Sequence, residues 1–229
     1  MRVVAIIQAR LGSTRLPGKV MKWLGPATVL GHVIDRVSRC PLVDEVVVAT
    51  PDREIALEAA AYGADTFIGS EHDVLERYYY AASSWFADVV VRITADCPLI
   101  DPDVIGLVIS KYRALDVDYA SNTIVRTYPQ GLDVEVFSFA ALDRAWKEAT
   151  LPAHREHVTP YMHTMNVGVV LGQNDNSGYR LTLDTEDDWK LFEAIDREIG
   201  MDASTHDVLR LLDARPDIRA LNSHVEQRC

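Results

Sequence analysis

The chain has 229 residues, 48% of them hydrophobic and 25% charged, a balance that allows one sizeable domain and excludes disorder and low-complexity architectures. Its 23 Lys and Arg stand against 34 Asp and Glu, and the net charge of −11 argues against a general binder of nucleic acid or anionic membrane. No apolar run approaches the roughly 20 residues of a membrane span, and the three cysteines, Cys40, Cys97 and Cys229, lack the CxxC spacing of a zinc site or disulfide framework, so a reducing, cytoplasmic setting is expected.

In chain order, Val3 to Ile7 is a continuous apolar run and predicts a buried, parallel strand. Val29, Leu30, Val33, Ile34 and Val37 form a helical stripe. Val46 to Ala49 predicts a second buried strand. Pro51-Asp52 opens a helix over about 53–62 that Gly63 closes. A short strand at Thr66 to Ile68, a helix over 73–86 and a strand over 88–93 follow. Asp101-Pro102 then caps a helix that runs to about Leu115. This alternation predicts an α/β sheet with right-handed crossovers. After about residue 118 the rhythm changes. Val134 to Phe137, Met165 to Leu171 and Tyr179 to Leu183 read as further strands, so a mixed sheet is expected, with a small arm leaving the core within about 125–165. Thr185 with Asp188 and Ser204 with Asp207 have capping-box spacing and start two more helices. The Tyr78-Tyr79-Tyr80 run lies in a predicted helix, where core packing or an interface is the default. No linker divides the chain, and 1–229 is expected to be a single domain.

Charge is unevenly distributed. Residues 1 to 34 hold Arg2, Arg10, Arg15, Lys19 and Lys22 and no acid, so they carry +5 while the rest carries −16. The stretch from Gln8 to Lys19 leaves the first predicted strand, and open α/β sheets bind ligands beyond the carboxyl ends of their strands. Gly12 and Gly18 let backbone approach a ligand, Ser13 and Thr14 offer donors, and Arg10, Arg15 and Lys19 supply cations suited to a polyphosphate. The spacing is neither Walker A, because five residues separate Gly12 from Gly18 and Val20 follows Lys19, nor GxGxxG.

Asp96 follows the fourth predicted strand and Asp184 follows the Tyr179 to Leu183 run. Each can hold a hard cation against phosphate oxygens, although each taken alone reads first as a helix or turn cap. His154, His157 and His163 lack a clear third partner for metal binding.

Several stretches in order resemble the sugar cytidylyltransferases, the family of the CMP-KDO and CMP-sialic acid synthetases, and most closely the spore-coat polysaccharide biosynthesis protein F type. They are the Gln8 to Lys19 loop, Gly69-Ser70 with Asp73 to Tyr78, Arg92 to Leu99, Pro129-Gln130-Gly131-Leu132-Asp133, Arg155 to Tyr161, and Leu183-Asp184-Thr185. The resemblance implies a nucleotide-diphospho-sugar transferase-like (Rossmann-like) fold with a mixed, mostly parallel sheet between helices. It implies Mg²⁺-dependent transfer of CMP from CTP to a small anionic acceptor such as a sugar acid, with release of pyrophosphate, for surface polysaccharide synthesis. By matching position, Gln8, Ala9, Arg10, Gly12, Ser13, Thr14, Arg15, Lys19, Arg77 and Asp96 would bind the nucleotide, with Arg77 near the base. Asp96 and Asp184 would hold the metal. Arg10, Arg15 and Lys19 would join them in catalysis. Arg92, Gln130, Asp133, Arg155, Glu156 and His157 would line the acceptor side. A homodimer is also implied.

Two other readings stay open at this level. A phosphonate could replace the sugar acid as acceptor. A glycosyltransferase of the same fold would need an Asp-x-Asp metal motif, and Asp101-Pro102-Asp103 and Asp116-Val117-Asp118 have the letters. A module that has lost turnover is disfavoured by the joint presence of Arg10, Arg15, Lys19, Asp96 and Asp184.

Overall fold

The computed structural model describes residues 1–226, so Cys229 lies outside the described residues. Its strands and helices run β1 (Val3–Gln8), β2 (Trp23–Leu24), β3 (Ala27–Thr28), α1 (Val29–Ser38), β4 (Glu45–Thr50), α2 (Arg53–Ala61), β5 (Asp65–Ile68), α3 (Val74–Ser84), β6 (Val89–Thr94), α4 (Pro102–Leu115), β7 (Tyr119–Ser121), β8 (Glu135–Ser138), α5 (Phe139–Glu148), α6 (Pro152–His157), β9 (Val167–Val169), α7 (Glu186–Ile199), α8 (Thr205–Ala214) and α9 (Pro216–Arg219). Single-turn 3-10 helices occupy Lys19–Met21 and Met162–Thr164.

The main sheet has the order β5-β4-β1-β6-β8-β7-β9. β8 is antiparallel to both of its neighbours, while the other pairings are parallel. The predicted mixed, mostly parallel α/β architecture is therefore the observed one. β1 is apolar throughout because helices cover both sides. Val3, Ala5 and Ile7 pack with residues of α1 and α4, whereas Val4 and Ile6 pack with α3 and α5. A third cluster gathers Leu181, Leu183, Phe192, Ile195, Val208 and Leu212 around α7 and α8.

Local signals match the helix starts. Thr28, Asp73, Asp101, Ser138, Thr185 and Ser204 cap the helices that follow them. The Thr185 cap is a full capping box with Asp188. Tyr78 is buried, with its hydroxyl donating to the Ile6 carbonyl at 3.0 Å, and Tyr79 stacks on Trp146.

Two expectations change. Within 125–165, β8 is paired on both edges, and α5 buries Ala141, Leu142 and Ala145 against the sheet. α5 has no turn signal ahead of it because Ser138 ends β8 and caps the helix at once. The 179–183 run is extended but forms no strand of the sheet; one bridge joins Arg180 to Gln130. The Met165 to Leu171 strand shortens to Val167–Val169.

Candidate active site

The loop after β1 turns at the carboxyl edge of the sheet. Leu11 N–H donates to Asp52 at 2.8 Å, and Gly18 N–H donates back to the Leu11 carbonyl at 3.3 Å, which closes the loop on itself. Gly18 has φ 64°, where a side chain is strained, and starts the 3-10 turn that carries Lys19. Gly12 has no such requirement, since a Cβ there would meet its neighbours at ordinary distance. The loop borders a cleft of about 280 Å³ lined by Gln8, Ala9, Arg10, Gly12, Ser13, Thr14, Arg15 and Lys19 on one side. Thr94, Ala95, Asp96 and Asp184 form another side, and Val74, Arg77, Glu156 and His157 complete it. All the residues expected to bind nucleotide are thus gathered in one cavity.

Asp96 and Asp184 lie 88 positions apart in the chain and meet because the Leu183 N–H donates to the Asp96 carbonyl at 2.8 Å. The Lys19 Nζ sits between them, 2.7 Å from Asp96 Oδ2, 2.7 Å from Asp184 Oδ1 and 2.8 Å from the Leu183 carbonyl. Three oxygens therefore converge on one cationic position, a donor set that fits a hard divalent ion. Burial works against the Lys19 ammonium, but the two carboxylates outweigh it and raise its pKa. Burial likewise pushes the Asp96 carboxyl up, and Lys19 overcomes that to hold it below the usual range.

Behind them stand two residues not expected at the site. Arg180 Nη2 reaches Asp184 Oδ2 at 2.9 Å, where Arg15 also arrives at 3.2 Å, and Arg180 Nε reaches Asp188 at 2.8 Å. Asp188, fully buried, also accepts from the Asp184 and Thr185 backbone and from Asn222. The signal was present, because Arg180, Asp184 and Asp188 are spaced four apart. It looked like helix capping, and Asp188 does serve the cap as well.

Arg77 is buried at the cleft with its Nη1 donating to the Ser70 carbonyl, and its Nε has no hydrogen-bond partner among the described residues. Burial, and then the nearby Arg10 charge, lowers its pKa. A buried donor without a partner beside a cavity is the condition under which a ligand acceptor is favoured. Arg10 is exposed and makes no ion pair among the described residues.

The six residues expected on the acceptor side divide. Glu156 and His157 line the cleft; the other four do not. Arg92 donates to Gln8 and pairs with Glu135, its cross-strand neighbour in the β6–β8 register. Asp133 is held bidentately by Arg126 at 2.6 and 3.0 Å. Arg155 ties α6 to the α3 cap through Asp73 at 2.9 Å and to the Trp146 carbonyl at 2.8 Å. Gln130 bonds Arg180, and a Cβ on the next residue, Gly131 (φ 99°), would stand 2.1 Å from the Leu181 carbonyl oxygen. That turn is therefore a packing device that sets the 180 segment. Each of these four side chains has a partner within the fold.

Val158, directly after His157, has φ 69° and ψ −58°. The Thr159 N–H donates to the His157 carbonyl at 2.8 Å. This is a γ-turn around a buried β-branched residue, a conformation that costs roughly 1–3 kcal/mol.

Neither Asp-x-Asp pair lines the cleft. Asp101 caps α4 and accepts from Thr205, and Asp116 ends α4 with φ 49°.

A sheet built outward from a parallel core, with a cationic glycine loop after its first strand and two converging carboxylates beside it, defines a nucleotidyltransferase-type α/β enzyme. The comparisons with known proteins agree. The cytidylyltransferase family model matches residues 4–213, and the chain belongs to that family. It is 33% identical to the spore coat polysaccharide biosynthesis protein SpsF of Bacillus subtilis, over 94% of this chain and 95% of that protein. Among solved structures, a cytidylyltransferase from Leptospira borgpetersenii superposes with a TM-score of 0.90 at 31% identity, covering 100% of both chains. A CMP:2-keto-3-deoxy-manno-octonic acid synthetase complexed with CTP shares the fold, with a TM-score of 0.69 at 18% identity over 86% of this chain and 99% of that one. No helix among the described residues is long and apolar enough to cross a membrane.

Proposed function

We propose that the enzyme transfers CMP from CTP to a small anionic acceptor, a sugar acid or a related compound, with Mg²⁺, and releases pyrophosphate. The observation that carries this reading is the meeting of Arg10, Arg15 and Lys19 with Asp96 and Asp184 in one cleft. The relatives named above add support for surface polysaccharide synthesis as the setting, in the cytoplasm where CTP is made, with 1–229 acting as a single catalytic domain.

Asp96, Asp184 and the Leu183 carbonyl would hold Mg²⁺, which when bound supplies neutralising charge to phosphate oxygens. Arg10, Arg15 and the Ser13 and Thr14 donors bind the triphosphate and orient it. Lys19, which lies between the two carboxylates, would serve the phosphates from the same side of the cleft. Arg77 and the loop near Ala9 take the base, the orphan Nε meeting a base acceptor. An acceptor hydroxyl gives its proton to solvent as its oxygen bonds to the α-phosphorus. The bond from that phosphorus to the bridging oxygen breaks, and pyrophosphate carries the charge away. The protein's share is positioning and charge neutralisation.

The test mixes protein, Mg²⁺, each nucleoside triphosphate and a panel of sugar acids and phosphonates, and measures pyrophosphate. Release with CTP and one acceptor class is expected. Transfer from a nucleotide sugar without pyrophosphate would overturn the reading. A homodimer belongs to the same reading and rests on the resemblance; sedimentation equilibrium tests it.

A further inference from the structure

The cleft wall made by Glu156 and His157 is held in a strained turn, and the structure shows what holds it. The Thr159 hydroxyl, buried, donates to Glu135 Oε1 at 2.6 Å. The same oxygen accepts from the Tyr119 hydroxyl at 2.7 Å, and the His163 ring meets that hydroxyl at 3.3 Å. Glu135 Oε2 pairs with Arg92, whose Nε donates to Gln8 Oε1 at 3.2 Å. Gln8 itself lines the cleft. A continuous path thus runs from one side of the cavity, through the partly buried Gln8 and Arg92 and the buried Glu135 and Thr159, to the turn that presents the other side.

Each link has a physical reason. Arg92 and Glu135 face each other across β6 and β8 on a side of the sheet otherwise occupied by Val90 and Phe137. An ion pair in such surroundings persists only when further hydrogen bonds complete it. The Tyr119 and Thr159 hydroxyls do so for Glu135. Thr159 is therefore anchored to a rigid strand, and its N–H closes the γ-turn on the His157 carbonyl. A β-branched residue at φ 69° would relax to the extended region if that anchor were released, and Glu156 and His157 would turn with it.

We propose that Arg92, Glu135 and Thr159 are positioning residues that clamp the Val158 turn and so set Glu156 and His157 as the wall of the nucleotide cleft. This rests on the nucleotide reading of the cavity. It also assigns the two residues to the nucleotide: they share with the Gln8 to Lys19 loop one cavity of about 280 Å³, near the lower end of the usual ligand-pocket range of roughly 300–1,000 Å³, so the nucleotide itself fills it.

The test compares Thr159→Val, which keeps the shape and removes the hydroxyl, with Thr159→Ser, which keeps the hydroxyl. CTP affinity in Mg²⁺ is read by calorimetry in both, in His157→Ala and in the double variant Thr159→Val/His157→Ala. Thr159→Val is expected to weaken CTP binding about tenfold, the scale of a lost hydrogen bond to a charged group. Thr159→Ser is expected to stay within about threefold of the parent. The double variant is expected to lose less than the product of the two single losses, because the hydroxyl acts in part through that residue. Unchanged affinity in Thr159→Val, or losses that multiply in the double variant, would overturn the proposal, and a role confined to stability would shift the melting temperature without moving affinity. Amide hydrogen exchange over 152–159 needs no nucleotide. It should rise about tenfold in Thr159→Val and not in Thr159→Ser; equal exchange in the two overturns the clamp. A parent chain that binds no CTP overturns the reading of the cleft instead, and the exchange result still decides the clamp.

Discussion

Two charged clusters flank the carboxyl end of β6, and they are built on opposite plans. At the cleft, Lys19, Arg15 and Arg180 surround Asp96, Asp184 and Asp188; Asp96 and Asp184 line the cavity, and Asp188 is buried behind them. Behind it, one cation and one anion, Arg92 and Glu135, are closed off by hydroxyl groups. In the first cluster Asp184 has three cations, Lys19, Arg15 and Arg180, so removing one leaves it partners. The second has no substitute. Losing one member should therefore reduce function in the first cluster and stability in the second.

The largest expected effect is at the closed pair. Glu135→Ala leaves the largely buried Arg92 charge without its ion-pair partner and should cost about 3 kcal/mol in urea unfolding. A cost below about 1 kcal/mol would show that the pair is not isolated from water. At the cleft, Lys19→Ala should lower the rate of pyrophosphate release by roughly 10²–10³, as removal of one preorganised charge donor does. Asp96 loses its ion-pair partner in this variant but Asp184 keeps Arg15 and Arg180, so the variant's stability should change less than that of Glu135→Ala.

Acid titration sharpens the contrast. Burial pushes the Glu135 carboxyl up, but Arg92 and the two hydroxyls outweigh it and hold its pKa below the ordinary 4.5. A depressed carboxylate stabilises the fold fully above its unfolded value and loses that contribution as pH falls through the folded one. Stability should decline below about pH 4.5, and Glu135→Gln should flatten that part of the profile; an unchanged slope would assign the acid transition to other carboxylates.

Arg10 has no ion-pair partner among the described residues, so Arg10→Ala should leave the melting temperature within about 0.5 kcal/mol equivalent and weaken CTP binding about tenfold. The smallest effect is expected at the half-exposed Arg126–Asp133 pair, where Asp133→Asn should cost at most about 1 kcal/mol in the same unfolding assay.

The legible part of the molecule was the part set by local pattern. β1 and β4 declared themselves as apolar runs, α2 and α4 by their caps, and the cation loop by acid-free charge next to glycine. α5 was not legible, because a strand passes into a helix through one serine. The acceptor-side assignments of Arg92, Asp133 and Arg155 rested on motif position, and their partners Glu135, Arg126 and Asp73 lie 43, 7 and 82 residues away. Arg92 in an apolar strand and Glu135 between two valines each signalled a buried charge needing a mate. Nothing in the linear order matched one to the other until β8 took its antiparallel place beside β6.

The sequence by itself determined the α/β class, the basic loop and the two strand-end aspartates, because periodicity, capping and charge density act over a few residues. Only the tertiary structure decided which charges face the cleft and which face each other. That depends on strand order and register, which bring distant residues within hydrogen-bonding reach and leave the remaining charges to the ligand.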